Sequence, residues 1–318
     1  MKNGTAALQH AQKRVAAAGG QHIGDLISWN TDRINVSRVD ARRVFDLIGL
    51  GTLIPDVDPA TMLSRAAGEV RRPEGIVVRS FAQPKNDTPA AAGVYEVKPR
   101  AGEAGDEYIY GARCRVNLKT GLIVALPPEG APVVDTALAH AEAVSARANR
   151  LLTHCETKDV SSALVGTVKA LSGVPMREKG GFYLLPPPSC AAWLRIEAGL
   201  EQIGVRPIRI EMHDAPSNVS VAKTAAASAL EADLQELMAD LDKAAAEGMR
   251  KGALERRVAF CKELKAKAEL YRGVLAGLTD KISAKVDTLE QRFQQHLSGA
   301  SADAGPADNG LFSVRLTD

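Results

Sequence analysis

The final third of the chain carries a hydrophobic repeat with steps of three and four residues. Its first part is a run of four leucines, Leu230, Leu234, Leu237 and Leu241. The repeat resumes after Gly248–Gly252 and continues as far as Phe293. Such spacing places the apolar side chains on one face of a helix. We therefore predict long helices or a coiled coil over residues 219–297, with a second arm roughly 65 Å long at 1.5 Å per residue.

The two predicted arms have three ways to bury their apolar faces. They fold back on each other as a helical hairpin with the bend at the glycines, they pair between chains, or they lie on the globular domains. The pattern alone does not choose among these arrangements. We expect a homo-oligomer, whether the arms pair within one chain or between chains.

Residues 21–130 combine helical periodicity with the alternation of strands. A first strand is predicted at His22–Trp29, followed by helices at Val36–Ile48 and Pro59–Val70. Four further strands are predicted from alternating stretches, at Gly75–Phe81, Gly93–Val97, Tyr108–Leu118 and Gly121–Leu126. Antiparallel strands with one solvated face suit this pattern. The segment is therefore predicted to be one α+β domain, preceded by a flexible arm at residues 1–20.

A second small α+β domain is predicted over residues 131–215, after a linker at Pro127–Gly130. Its predicted elements are helices at 135–153, 159–171 and 189–204, a hairpin at 174–185 and a strand at Arg206–His213. The fold class is thus α+β, with two small domains ahead of the long helices. A flexible tail is predicted at residues 298–318.

The helix followed by a basic-tipped hairpin, with another helix upstream, has the element order of a winged helix. In that interpretation Lys169, Arg177 and Lys179 contact phosphates, which positions a protein on DNA without reading its sequence. The alternative is an ordinary α+β domain whose hairpin covers its own core. Acidic residues lie beside these lysines, so the charge of the segment is mixed.

A second basic stretch extends from Arg250 to Arg272 along the predicted helix. Its first members, and the ones we take as candidate nucleic-acid contacts, are Arg250, Lys251, Arg256 and Arg257. On a helix they form a stripe that can follow a phosphate backbone. The alternative is the solvated face of a coiled coil, for which alternating charges are typical.

The chain ends with an apolar peptide after a linker rich in Ser, Ala, Asp and Gly. Its candidate partner-binding residues are Leu311, Phe312, Val314 and Leu316. A short apolar peptide of this kind either adds a strand to its own sheet or docks on a protein partner.

Composition limits the classes of function. The formal net charge of +2 gives no global attraction for nucleic acid or anionic membrane. No apolar run approaches the ~20 residues of a membrane span, and the N-terminus lacks the apolar core of a signal peptide. We therefore predict a soluble, cytoplasmic protein without membrane contact, for which a protein partner is the main expectation and DNA the second.

Signatures of known chemistries are absent from the sequence. It lacks the usual phosphate-loop, dinucleotide, zinc-protease and esterase motifs. The four cysteines, Cys114, Cys155, Cys190 and Cys261, form no CxxC pair, so their spacing predicts buried apolar residues rather than a zinc site. His213, with Glu211 and Asp214, is interpreted as a solvated polar cluster. No catalytic, cofactor-binding or metal-binding residue is predicted, and the protein is expected not to be an enzyme.

Two short motifs resemble those of a known group of proteins. The first combines Gly49-Leu50, Leu53-Ile54-Pro55 and Met62–Ala66; the second is Arg177 followed by Gly180–Pro186, with Leu184 where the pattern has a second aromatic residue. Together they resemble an uncharacterised family of bacteriophage, plasmid and archaeal proteins. The resemblance covers residues 21–215 and implies a mobile-element context, with no activity to transfer.

Three functions follow from these observations. The leading hypothesis is a non-enzymatic binding or scaffolding protein of a phage or other mobile element, acting through protein–protein contacts and self-association. The second is a DNA-binding regulator that uses the 174–185 hairpin and the basic 250–272 helix. The third is a phage structural or assembly protein.

Overall fold

The structure, a computed structural model of the 318-residue chain, mixes helices with antiparallel strands and so confirms the α+β class. It describes residues 19–32, 34–80, 91–99, 106–117, 119–177, 181–275 and 277–302. Within these ranges no helix is long and apolar enough to cross a lipid bilayer. The predicted tail residues Leu311, Phe312, Val314 and Leu316 lie outside the described residues, as do Lys179 and the predicted N-terminal arm up to Ala18.

The elements follow the predicted order from His22 to His213. The strands are β1 (His22–Asn30), β2 (Asn35–Ser37), β3 (Ile76–Ser80), β4 (Ala91–Pro99), β5 (Asp106–Val116), β6 (Ile123–Leu126), β7 (His154–Glu156), β8 (Val174–Pro175), β9 (Tyr183–Leu185) and β10 (Arg206–His213). The helices are α1 (Arg38–Asp46), α2 (Pro59–Glu69), α3 (Asp135–Thr153), α4 (Thr157–Ala170), α5 (Pro187–Gln202), α6 (Pro216–Glu247), α7 (Lys251–Leu270), α8 (Arg272–Leu275) and α9 (Leu278–Ala302). The predicted helices and strands of this region are confirmed, with ends shifted by a few residues, but the short strands β2 and β7, which pair with each other, were not predicted.

The chain divides into two compact units. We call the first the bundle unit; it comprises Met1–Trp29, Thr167–Leu194 and Pro207–Asp318. We call the second the meander unit; it comprises Asn30–Gly166 and Arg195–Arg206. This division differs from the predicted boundaries, because β1 belongs with strands that come 150 residues later rather than with the strands that follow it.

The bundle unit contains a four-stranded sheet with the order β10-β1-β9-β8. Strand β9 pairs antiparallel with β1 on one side, Leu26 facing Leu184, and with β8 on the other. The second strand of the predicted hairpin is therefore an interior strand. Strand β9 forms hydrogen bonds with a neighbouring strand on both sides. The hairpin is therefore part of the core of the bundle unit.

Three long helices, α6, α7 and α9, pack together beside this sheet. Their predicted apolar positions are buried in one cluster, including Leu230, Leu237, Leu264, Val286 and Phe293. The arms therefore pack within the chain, the first of the three predicted arrangements, although as a three-helix bundle. Ion pairs join the helices at the rim. Lys267 contacts Asp233 of α6, and Lys265 contacts Asp287 and Glu290 of α9.

The prediction of one unbroken second arm is wrong. Helix α7 ends at Leu270, and the chain passes through the four-residue α8 before α9 begins at Leu278. Gly277 has a φ of +72°, a conformation that glycine adopts without strain. Tyr271 is fully buried at the break, with its hydroxyl 2.9 Å from the carbonyl oxygens of both Ser172 and Leu184. The heptad-like spacing continues through the break, so periodicity alone could not reveal it.

The meander unit is built on a four-stranded antiparallel sheet with the sequential order β3-β4-β5-β6. Helix α3 packs on this sheet, and α2 packs on α3. A Cβ at Gly111 would lie 2.6 Å from the Cβ of Ala137, so this glycine allows the close approach of helix and strand. The buried residues Val94, Ala112, Ile123, Val144 and Leu151 form part of the resulting core.

A network of charged side chains joins distant segments of the meander unit. The Arg65 guanidinium donates to Glu69, Glu156 and Asp159, and the Arg147 guanidinium donates to Glu69 and Glu156. These contacts tie α2 and α3 to the β7–α4 junction. Both arginines and all three acids use their charges on one another, so the network has a structural role.

Candidate functional site

A groove of about 540 Å³ runs between the hairpin and the first half of α6. Its lining residues are Pro175, Met176, Arg177, Ser220, Val221, Thr224, Ala225, Ser228, Ala229 and Ala232. The helix side consists of two adjacent rows with a spacing of four residues, and nearly all of these side chains are small. Small side chains leave the backbone of α6 open to close approach. Val221 is half exposed, so the surface offers apolar contact.

The hairpin residues proposed for DNA contact have different positions. Arg177 lines the groove, and its guanidinium lies over Gly181, where a Cβ would come within 2.7 Å of Nη2. Lys169 is exposed near the end of α4. Arg177 is thus part of an apolar groove, while Lys169 lies on open surface. Their role in DNA binding stays a prediction.

The basic stretch on α7 is divided between two environments. Arg257 contacts Asp240 at 2.6 Å, an ion pair that connects α7 with α6. Lys265 and Lys267, farther along the helix, form the rim contacts described above. Arg250, Lys251 and Arg256 are exposed at the turn between α6 and α7. Of these six residues, Arg257, Lys265 and Lys267 therefore form ion pairs between the bundle helices. The other three remain on the surface.

A second candidate site lies on the sheet of the bundle unit, where β1 brings His22 and Asp25 together. The His22 Nε2 atom is 2.8 Å from Asp25 Oδ1. Residues three apart in a regular strand point to opposite faces. Gly24, between them, has a φ of +139°, and a Cβ there would lie 2.3 Å from the Leu185 carbonyl oxygen. The glycine thus interrupts the alternation and lets both side chains meet.

Asp25 is almost completely enclosed, with 1% of its side chain exposed. A buried carboxylate requires positive or hydrogen-bonding partners. On its second oxygen, Oδ2, it has Arg209 Nη1 of β10 at 3.4 Å. Its third neighbour is Cys190 in the first turn of α5. The donor atoms of His22, Asp25 and Cys190 all lie within 4.8 Å of one another.

Strand β10 adds a row of polar side chains at alternate positions, Arg209, Glu211 and His213. Arg209 Nη1 donates to Glu211 Oε1 at 3.0 Å. This hydrogen bond lowers the pKa of Glu211 despite some desolvation. The His213 ring is 5.9 Å from the His22 ring, centroid to centroid. These three residues, with His22, Asp25 and Cys190, form what we call the polar cluster.

His213 is not the solvated residue that the sequence predicted. Only 7% of it is exposed, and its Nδ1 atom is 3.2 Å from the Gly20 carbonyl oxygen. Because a carbonyl only accepts, Nδ1 carries the proton in this contact, and the other ring nitrogen, Nε2, lies 4.0 Å from Glu211 Oε2. Within the described protein this buried Nε2 has no hydrogen-bond partner. His213 is buried because β10 places it against β1, and these two strands are remote from each other in the sequence.

The polar cluster suits ligand binding better than nucleophilic catalysis. The Cys190 sulfur lies 3.4 Å from the Pro186 carbonyl oxygen. Burial, together with the charge of Asp25, raises the pKa of Cys190 to about 12, so the thiol stays protonated at neutral pH. A nucleophilic cysteine needs a lowered pKa instead. As ligands, however, a thiolate, an imidazole and a carboxylate together form a donor set suited to a metal ion, whose binding would release the thiol proton to solvent.

Sequence reasoning missed this cluster because its members lie in three remote segments. All four cysteines are buried and free, as predicted, but Cys190 also has charged neighbours. Two local signals pointed to the cluster: a glycine within the run His22–Asp25, and the alternation of Arg209, Glu211 and His213 on one strand.

The architecture defines a class: an α+β protein in which a three-helix bundle packs beside a small four-stranded sheet whose strands are not in sequence order. The chain belongs to DUF6744, a family of unknown function whose model matches residues 22–303. The matched residues overlap the region of the resemblance, residues 21–215, and extend through the bundle, while the phage, plasmid and archaeal origin stays a prediction. Searches among curated proteins and among solved structures found no match.

Proposed function

We propose that the protein is a non-enzymatic binding or scaffolding component of a phage or other mobile element, which acts through protein–protein contacts and self-association. The observation that carries this proposal is the groove between the hairpin and α6. It is open and has an apolar lining of small side chains, with the guanidinium of Arg177 at one side. Such a surface suits an extended apolar peptide.

The occupant we propose is the C-terminal peptide of a second copy of this chain. Leu311, Phe312, Val314 and Leu316 supply apolar side chains at the spacing of a short strand.

The distances within the bundle favour a second copy over the same chain. The ion pairs of Lys265 and Lys267 place Asp233 level with Asp287, so Ala302 lies near the far end of α6. From there the groove is about 30 Å back along the bundle at 1.5 Å per residue. Leu311 follows Ala302 by nine residues, which reach about 30 Å only when fully extended. A second copy has no such restriction.

Light scattering on the purified full chain, over a range of concentrations, tests the proposal. We expect a concentration-dependent dimer that Phe312→Asp converts to a monomer. Ser228→Arg fills the groove and should have the same effect, while Asp242→Arg, which is exposed on α6 well beyond the last lining residue, Ala232, should leave the dimer intact. A wild-type chain that stays monomeric, or a dimer unaffected by Phe312→Asp, would contradict the proposal.

A DNA-binding regulator is the second candidate, favoured by the exposure of Arg250, Lys251 and Arg256 at the α6–α7 turn. Charge reversal of these three residues should weaken DNA binding and flatten its salt dependence, by about 0.9 in the logarithmic slope for each phosphate that the protein no longer neutralises. The corresponding change at Lys169, Arg177 and Lys179 tests the hairpin. Absence of binding at low salt would exclude both surfaces. A phage assembly protein, the third function, should instead co-purify with particles.

A further inference from the structure

We propose that the polar cluster binds a divalent transition-metal ion, with zinc as the best match, through His22, Asp25 and Cys190, and with His213 as the fourth ligand. This site is independent of the proposed groove function. It would join three segments of the bundle unit, namely β1, the start of α5 and β10.

The first argument is the donor geometry. One nitrogen, one oxygen and one sulfur ligand lie within 4.8 Å of one another, and Asp25 and Cys190 are both buried. Tetrahedral zinc takes this combination of ligands, at about 2.0–2.3 Å from the metal. Its ligands are then about 3.3–3.8 Å apart, so small side-chain rotations suffice. The His22 side chain is 36% exposed and leaves a path for the ion to enter.

The second argument is the orientation of the His213 ring. Its Nδ1–H donates to the Gly20 carbonyl, and its buried Nε2 atom has no hydrogen-bond partner within the described protein, with Glu211 Oε2 4.0 Å away. A metal-bound histidine shows the same arrangement, since its other ring nitrogen usually donates to a backbone carbonyl or a carboxylate. Two imidazoles on one tetrahedral zinc ion, with Zn–N bonds of about 2.0–2.1 Å, have centroids about 5 Å apart. The His22 and His213 rings are 5.9 Å apart, so His213 lies outside the group of three donors and joins them after an approach of about 1 Å.

The surrounding charges support the proposed ligands. Arg209 donates to Oδ2 of Asp25, whereas the other carboxylate oxygen, Oδ1, faces His22. Carboxylate ligands are commonly held by such a hydrogen bond on the second oxygen. The same guanidinium also contacts Glu211. One cation, Arg209, is thus shared by two acids, which leaves net negative charge to attract a metal ion.

The test is titration of the full chain with Co²⁺, under reducing conditions and after treatment with a chelator. We expect one equivalent to bind, with an intense thiolate-to-cobalt charge-transfer band that Zn²⁺ abolishes by displacement. Cys190→Ala should remove this band, while the matched variant Cys261→Ala, which deletes an equally buried thiol within the bundle, should keep it. Absence of the band from the wild-type chain, or its persistence in Cys190→Ala, would overturn the proposal.

The other ligands are tested by affinity. Asp25→Asn preserves the shape of the side chain and should weaken Co²⁺ binding at least tenfold, as should His213→Gln. His154→Gln, in the meander unit, is the control and should bind normally. Zn²⁺ should also raise the melting temperature of the wild-type chain but not that of Asp25→Asn. An unchanged affinity in Asp25→Asn would remove the carboxylate from the site and with it the proposed ligand set.

Discussion

The three-helix bundle and the polar cluster belong to the same compact unit but are built on opposite principles. In the bundle, leucines fill the interior and the charges pair at the rim, as Lys267 does with Asp233. In the polar cluster a carboxylate, an imidazole and a thiol are inside, and Asp25 is 1% exposed. An interior of hydrocarbon is stable by itself, whereas buried polar groups need a full set of partners. A fold tolerates a buried polar cluster where that cluster binds a ligand.

The largest expected effect comes from the glycine that shapes the polar cluster. Gly24→Ala adds a Cβ 2.3 Å from the Leu185 carbonyl oxygen, at a φ of +139°. We expect the free energy of unfolding to fall by about 3–5 kcal/mol, because both backbone strain and a clash with a neighbouring strand act together. Urea unfolding measures it.

Gly68→Ala is the matched control for this substitution. Gly68 lies in helix α2, and a Cβ added there would meet no atom within 4 Å, so alanine should stabilise the chain by about 0.5–1 kcal/mol. If Gly24→Ala were as harmless as Gly68→Ala, Gly24 would not determine how His22 and Asp25 meet.

The second effect concerns the apolar interior of the bundle. Leu237→Ala should lower the free energy of unfolding by about 3 kcal/mol, since a fully buried leucine is truncated and leaves a cavity. Its neighbour Met238 is 53% exposed, so Met238→Ala should change the value by less than about 0.5 kcal/mol. Equal effects at the two positions would mean that α6 does not present Leu237 to the core.

These two regions also show what the sequence could predict. The bundle helices were visible because steps of three and four residues report local periodicity, and Leu230 to Phe293 kept that spacing. Individual strands such as β1 and β10 were visible for the same reason. Which strands pair was not, because the partner of Leu26 is Leu184, and no local pattern encodes that contact.

The polar cluster could not be predicted from the sequence for a related reason. Cys190 and Asp25 come together only after β1 has paired with β9 and α5 has begun at Pro187. The predicted exposure of His213 was also wrong, because the exposure of a polar residue depends on which strand lies next to it. The break at Tyr271 was hidden because its side chain fits the apolar repeat, although its hydroxyl has separate partners.

The third effect tests this break between α7 and α9. Tyr271→Phe removes the hydroxyl that lies 2.9 Å from the carbonyl oxygens of Ser172 and Leu184. We expect a loss of about 1–2 kcal/mol, because the two carbonyl oxygens lose the one hydroxyl proton that they share while the ring keeps its packing. The half-exposed Tyr108 serves as the control, and Tyr108→Phe should be nearly neutral. A neutral Tyr271→Phe would show that the turn is fixed by apolar packing alone.

The smallest effect compares the polar cluster with the ion network of the meander unit, where the charges already satisfy one another. The hydrogen bond from Arg147 lowers the pKa of Glu156 in spite of partial burial. A carboxylate with a lowered folded-state pKa contributes stability above its unfolded pKa of about 4.3, and this contribution disappears as the pH falls through the folded-state value. Glu156→Gln should therefore cost about 1 kcal/mol at pH 7 and progressively less below pH 4. Urea unfolding of both chains between pH 7 and pH 3 measures the difference, and a gap that widens in acid would contradict the assigned sign.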